Sequence, residues 1–129
     1  MLPAKHVFEY AVVRVVPRVE REEFLNVGVV LLCRPLGFLQ CRFALDEARL
    51  RAFAGPSPDP AELTARLHAF EQVCQGRRAG GPIGQLGLAE RFRWLTATRS
   101  TVLQTSPVHP GLCEDAAATL ARLFEQLVL

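Results

Sequence analysis

The sequence predicts an α+β domain, with a mainly antiparallel sheet of about four strands and helices packed on one face of it. Three observations lead there. β-branched and aromatic residues concentrate between residues 6 and 45, and apolar residues then recur at helical spacing from residue 46. A further strand-like segment returns late, ahead of an amphipathic C-terminal stretch.

Taken in order, residues 6–18 (HVFEYAVVRVVPR) have strand composition and end at Pro17, which cannot donate to a sheet ladder. A second strand is expected over Asn26–Arg34 and a third over Phe38–Leu45. A three-residue loop, Pro35-Leu36-Gly37, would group Val27, Val29, Leu31 and Cys33 with Leu39, Cys41, Phe43 and Leu45 on one apolar face. In that register Gly28 lies across from Ala44, leaving a shallow depression with Asn26 and Arg42 at its rim. The competing reading is that Gly28 makes room for an aromatic ring such as that of Tyr10.

Asp46 is a helix cap ahead of Leu50 and Phe53, which the helix would bury, and Gly55-Pro56-Ser57-Pro58 stops it. Asp59-Pro60-Ala61-Glu62 opens a second helix whose Leu63, Leu67, Phe70 and Cys74 form one buried stripe ending at Gly76. Residues 77–87 (RRAGGPIGQLG) have the composition of a flexible connector or lid, and no phosphate-loop motif is present. Leu88–Leu95 suits a short helix, Arg99–Thr105 a fourth strand, and residues 107–111 a turn. A last helix begins near Glu114 with Leu120, Leu123, Phe124 and Leu127 on one side. The whole chain, 1–129, is thus one domain: strand-rich 6–45, helical 46–76, Gly-rich connector 77–87, returning strand and terminal helix 88–129.

A net charge of +2 over 129 residues is too small to point to a polyanion. Arginine dominates the fifteen basic residues, with lysine present only at Lys5, and the abundance of Ala, Gly, Leu and Pro beside it marks a base-composition bias. No apolar run has the length of a membrane span, and residues 1–10 lack the layout of a signal peptide, so a cytoplasmic location is expected. Cys33, Cys41, Cys74 and Cys113 form no C-x-x-C pair and have no metal-ligand spacing to His6, His68 or His109. They are expected to be buried, reduced thiols, and no cofactor can be named.

The candidate site centres on the charged stretch VPRVEREEFLNVG. Arg14 shares a strand face with Phe8, Tyr10, Val12 and Val16, company in which an unpaired guanidinium is costly. Glu23 or Glu9 would neutralise it internally. Alternatively, Arg14 with Arg21 and Arg99 would hold an anionic group, with hydroxyl donors from Ser100 and Thr101.

Tyr10-x-x-x-Arg14-x-x-Pro17, Arg21-x-Glu23-x-x-Asn26-x-Gly28, Arg91-Phe92-x-Trp94-Leu95, Arg99-Ser100-Thr101 and Pro107-Val108-His109 together resemble a bacterial family known as domain of unknown function 3037. The resemblance covers nearly the whole chain. It implies a small standalone bacterial protein, in some genomes encoded near a HipA-like kinase, and hence a protein-partner role. It supplies no catalytic residues.

Three functions compete. The first is a non-catalytic binding or accessory module holding an anionic group of a ligand or partner protein, with Arg14, Arg21, Glu23, Asn26, Gly28, Arg99, Ser100 and His109 as site residues. The second is an enzyme acting on a phosphate-containing substrate, with Glu23 or His109 as general base. The third is nucleic-acid binding through Arg77 and Arg78, disfavoured by the scarcity of spare aromatic residues. The first reading requires Arg14, Arg21 and Arg99 to converge.

Overall fold

A computed structural model describes residues 4–76, 78–99 and 101–129. Its sheet has five strands: β1 (His6–Val15), β2 (Leu25–Cys33), β3 (Phe38–Phe43), β4 (Leu103–Thr105) and β5 (His109–Cys113). The helices are α1 (Glu47–Ala54), α2 (Pro60–Gln75), α3 (Gly81–Gly84), α4 (Leu88–Leu95) and α5 (Ala116–Leu127). The sheet runs β3-β2-β1-β4, every pairing antiparallel, with β5 also paired to β1. The α+β class and the antiparallel sheet are therefore as the sequence indicates.

Placement of the helices differs from expectation. Ala11, Val13, Val15, Val30, Leu32 and Leu39 pack one sheet face against Leu50 of α1, Leu63 and Leu67 of α2, and Phe92 and Leu95 of α4. The other face, carrying Phe8, Val29, Leu31 and Cys33, is covered by Leu120, Leu123 and Phe124 of α5. Helices thus lie on both faces. Each fully buried aliphatic side chain contributes about 1.5–3 kcal/mol of transfer free energy, so neither apolar face could remain in water.

This second core explains the register. Four residues, Arg34–Gly37, connect β2 to β3, three of them in a 3₁₀ turn, and Gly37 closes the turn at φ 61°. Cys33 then pairs with Phe38, Val30 with Cys41 and Gly28 with Phe43, one step away from the three-residue-loop register. Placing Val29, Leu31 and Cys33 beside Gln40 and Arg42 costs little here, because β3 is an edge strand whose Gln40 and Arg42 stay exposed while α5 buries the β2 residues.

A bulge adds a second departure. Val13 pairs with Gly28 and Arg14 with Asn26, so Val27 is the extra residue on β2. The bulge reverses the alternation: Leu25, Val27, Val30 and Leu32 all reach the first core, whereas Asn26, Val29 and Leu31 lie towards α5.

Two helix caps form as the sequence indicates: Asp46 accepts from the backbone N–H groups of Ala48 and Arg49, and Asp59 from that of Ala61. The last helix, expected from near Glu114, starts at Ala116 and is capped by Asp115, which accepts from the N–H of Ala118. The α2 stripe Leu63, Leu67, Phe70 and Cys74 is buried, but Phe53 of α1 stays 39% exposed. Residues 78–84 are not an open linker: they form a 3₁₀ turn and α3, with Gly84 buried and Ile83 against the core. The returning strand is shorter than expected, and the supposed turn at 107–111 lies largely within β5.

Ser106 joins β4 to β5. Its N–H donates to Val12 O at 2.8 Å, and its hydroxyl oxygen accepts from Val12 N–H at 2.8 Å. The buried side chain thus takes the place of a ladder carbonyl where Pro107 interrupts the edge.

Candidate functional site

Three of the arginines that the sequence singles out occupy three different environments. Arg14, on β1, lies beside Asn26 of β2 and Gln104 of β4. Its guanidinium forms no ion pair with Glu9 or Glu23; it sits 3.8 Å from the centroid of the Phe24 ring. Burial lowers its pKa from the ordinary arginine value. Arg14 Nε and Asn26 Oδ1 are buried with no hydrogen-bond partner among the described residues, while Asn26 Nδ2 donates to Leu127 O at 3.1 Å.

Arg21 lies in the exposed 3₁₀ turn Val19–Arg21 and pairs with Glu23, both side chains being more than half exposed. They line a 260 Å³ hollow with Pro17, Arg18, Phe53 and Ala54. Arg99 belongs to the end of α4: its Nη1 donates to Leu95 O at 3.2 Å, its Nη2 to Trp94 O, and its guanidinium lies 4.6 Å from the centre of a Trp94 ring. A cation at a helix C-terminus meets orphan carbonyls and the negative end of the dipole. Among the described residues, then, Arg14, Arg21 and Arg99 do not share one cavity.

Gly28 does not floor a depression. A Cβ there would meet Arg42 O at 2.8 Å and run into the Phe43 ring, which covers the position. The residue makes room for an aromatic, but the aromatic is Phe43 on the neighbouring strand. His109, on β5, is exposed, with its ring 5.4 Å from that of Tyr10. Ser100 lies outside the described residues, as does Arg77; Thr101 Oγ1 donates to Leu103 O at 2.7 Å.

A cavity of about 350 Å³ opens between α2, α4 and β4. Phe70 and Val73 of α2, Leu95 of α4 and Leu103 of β4 give it apolar walls. Arg66, Arg99, Gln72, Gln104 and Thr105 add polar groups, and the half-exposed Trp94 stands at its side. No carboxylate lines it among the described residues. Arg66 bonds Glu62 at 3.1 Å in an exposed i,i+4 pair, which water screens. Arg99 has no carboxylate partner and uses two of its five N–H donors on carbonyls.

Of these lining residues the sequence reading singled out Arg99 for the site. One signal for the others was available. Leu88, Phe92 and Leu95 define the buried side of α4, so Trp94 falls off that side, and a large aromatic on a polar flank is conspicuous. Arg66 and the β4 residues carried no such mark, because what brings them together is the fold.

A second cleft, of about 640 Å³, lies between β3 and α2, with Cys41, Cys74, Glu71 and Arg91 on its walls. Arg91 is spent on backbone carbonyls, donating to Leu86 O, Val73 O and Cys74 O at 3.0, 3.0 and 2.6 Å. Among the described residues, no group of three or more His, Cys, Asp or Glu side chains is placed to hold a metal, and no helix is long and apolar enough to cross a membrane.

These features define an α+β protein with a five-stranded antiparallel sheet between helices and an arginine-flanked apolar cavity at one side. The chain belongs to the family described as Protein of unknown function (DUF3037), whose model matches residues 10–128. No curated protein and no solved structure matches it.

Proposed function

We propose that the protein is a binding module for a small anion with a flat apolar body, such as an aryl carboxylate or a mononucleotide. The observation that carries this reading is the cavity between α2, α4 and β4, which combines two guanidinium groups, apolar walls and no lining carboxylate among the described residues. Its 350 Å³ falls at the lower end of the range for small-molecule sites. A concave hollow of this size favours a small ligand over a flat partner surface.

In this reading Arg99 and Arg66 meet the negative group, Gln72 and Gln104 orient it through hydrogen bonds, and the apolar part lies against Phe70 and Leu103. Charge-assisted hydrogen bonds contribute about 1.5–3 kcal/mol each. Trp94 is the sole tryptophan, so its emission reports occupancy directly. Titration with benzoate, salicylate, AMP and GMP should give a saturable change in that emission for at least one probe, weakening as salt rises. Arg66→Gln and Arg99→Gln should each raise Kd about tenfold, equivalent to about 1.4 kcal/mol. A double variant that folds and binds every probe as the wild type does would refute the assignment.

A further inference from the structure

The two outer edges of the sheet are finished differently. On the side of β4 and β5, Pro107 and Pro110 interrupt the row of N–H groups, and proline is one device that keeps an edge from pairing. β3, at the other end of the strand order, contains no proline. Its register shows which way its backbone faces. Ala44 N–H donates to Val27 O at 2.8 Å while Phe43 lies opposite Gly28, so the main chain of Phe38, Gln40 and Arg42 bonds β2. Leu39, Cys41 and Phe43 therefore turn their N–H and C=O groups outward, and among the described residues no other backbone group meets that row.

The outward row borders the 640 Å³ cleft. Phe38, Leu39, Gln40 and Cys41 all line it, although consecutive side chains of a strand point to opposite faces. What four consecutive residues have in common on one side is the backbone edge. α2 forms the opposite wall with Glu71 and Gln75. An open strand edge facing a helix across a groove can accept an added strand.

We propose that this cleft takes an extended segment of another polypeptide, laid along β3 as a sixth strand, with a lysine or arginine side chain directed at Glu71. Outward donors and acceptors recur along the edge about every 6.8 Å, two residues at about 3.4 Å each, a spacing that another strand reproduces. Main-chain bonds to Leu39, Cys41 and Phe43 supply affinity, and side chains on the α2 side supply selectivity. The cleft wall sets which charge is selected. Glu71 accepts a hydrogen bond from Gln75 Nε2 at 3.3 Å and has no basic partner among the described residues, while Arg91, the cation on this wall, is engaged by three carbonyls. A second copy pairing β3 with β3 would instead bring another Glu71 carboxylate into the cleft, setting like charges together.

The test is selection of random ten-residue peptides, displayed on phage, against the full chain. The recovered peptides should alternate apolar and polar residues around a lysine or arginine. A synthetic one should slow hydrogen exchange at the Leu39, Cys41 and Phe43 amides by about tenfold or more. N-methylation at every second residue gives two versions of that peptide. One should lose binding by about tenfold or more, and the other, whose methyl groups face away from β3, should keep it. Glu71→Gln should weaken binding about three- to fivefold, the effect of a partly screened ion pair. A selection that yields no binder, protection of other amides with these three unchanged, or a free protein that is dimeric with the three already protected would each overturn the proposal. The arginine-flanked cavity lies on the other flank of α2 and is read with different probes, so either assignment can fail without the other.

Discussion

Gly28 sits where a side chain has no room, and two neighbours enforce that. Arg42 O would lie 2.8 Å from a Cβ, and the Phe43 ring fills the remaining space. Backbone atoms in a paired strand cannot step aside, so Gly28→Ala should destabilise the protein by about 1–3 kcal/mol, the usual cost of overpacking. Urea denaturation followed by circular dichroism checks this, and an unchanged midpoint would mean that β3 yields. Arg14 shows how a charge can be housed without a counter-ion. Its guanidinium rests on the Phe24 face, and the depressed pKa records the burial it tolerates. From the sequence, the apolar company of Arg14 was plain, but a carboxylate or ligand was the expected remedy. Phe24 lay between Glu23 and Leu25 with nothing to single it out, because a ring's face becomes a partner only when the chain folds it over.

At the level of elements, what was legible followed from local chemistry. Asp46 and Asp59 cap helices through bonds to N–H groups two or three residues away, and such short-range geometry is written in the sequence. The range of α4 and the buried stripe of α2 were also readable from spacing. The β2–β3 register was not. Both faces of β2 are buried, so alternation no longer distinguishes one pairing from the next. The Val27 bulge then shifts the alternation once more, and it leaves no mark beyond the neighbouring glycine. The candidate cavity was hidden for a related reason, since Arg66, Trp94 and Gln104 come from three separate elements. The β4–β5 join makes its own prediction. Ser106→Ala leaves Val12 N–H buried without its acceptor, which should cost about 1–3 kcal/mol. Hydrogen exchange should accelerate at Val12 before it does at Val30, and equal protection at both would contradict the role given to the hydroxyl.

For the molecule as a whole, two cores share one sheet, and each contains a thiol that resists ionisation: Cys41 beside its Cys74 neighbour, and Cys113 through burial and the neighbouring Cys33. The sign of the consequence is fixed. In the unfolded chain a thiol loses its proton near its usual value of 9.0, whereas folded Cys41 keeps it. Below that pH both states bind the proton and stability is intact. Above it the unfolded state binds fewer protons, so the reduced protein should lose stability progressively as pH rises past that value. Thermal unfolding from pH 7 to 10.5 under reducing conditions measures the decline, and Cys41→Ser should make it shallower. An identical decline in the variant would assign the effect elsewhere.

The position of β1 has a further consequence, for the order in which the fold assembles. Val12 must find Ser106, 94 positions away, before the strand has neighbours on both sides. While the chain emerges from the ribosome, β1 and β2 can associate early, yet the other flank of β1 waits for Ser106, 94 positions further along. Such distant pairings slow closure and keep a sticky edge open to association with other nascent chains. Of the five strands in the sheet, the earliest in the sequence is among the last to be sealed.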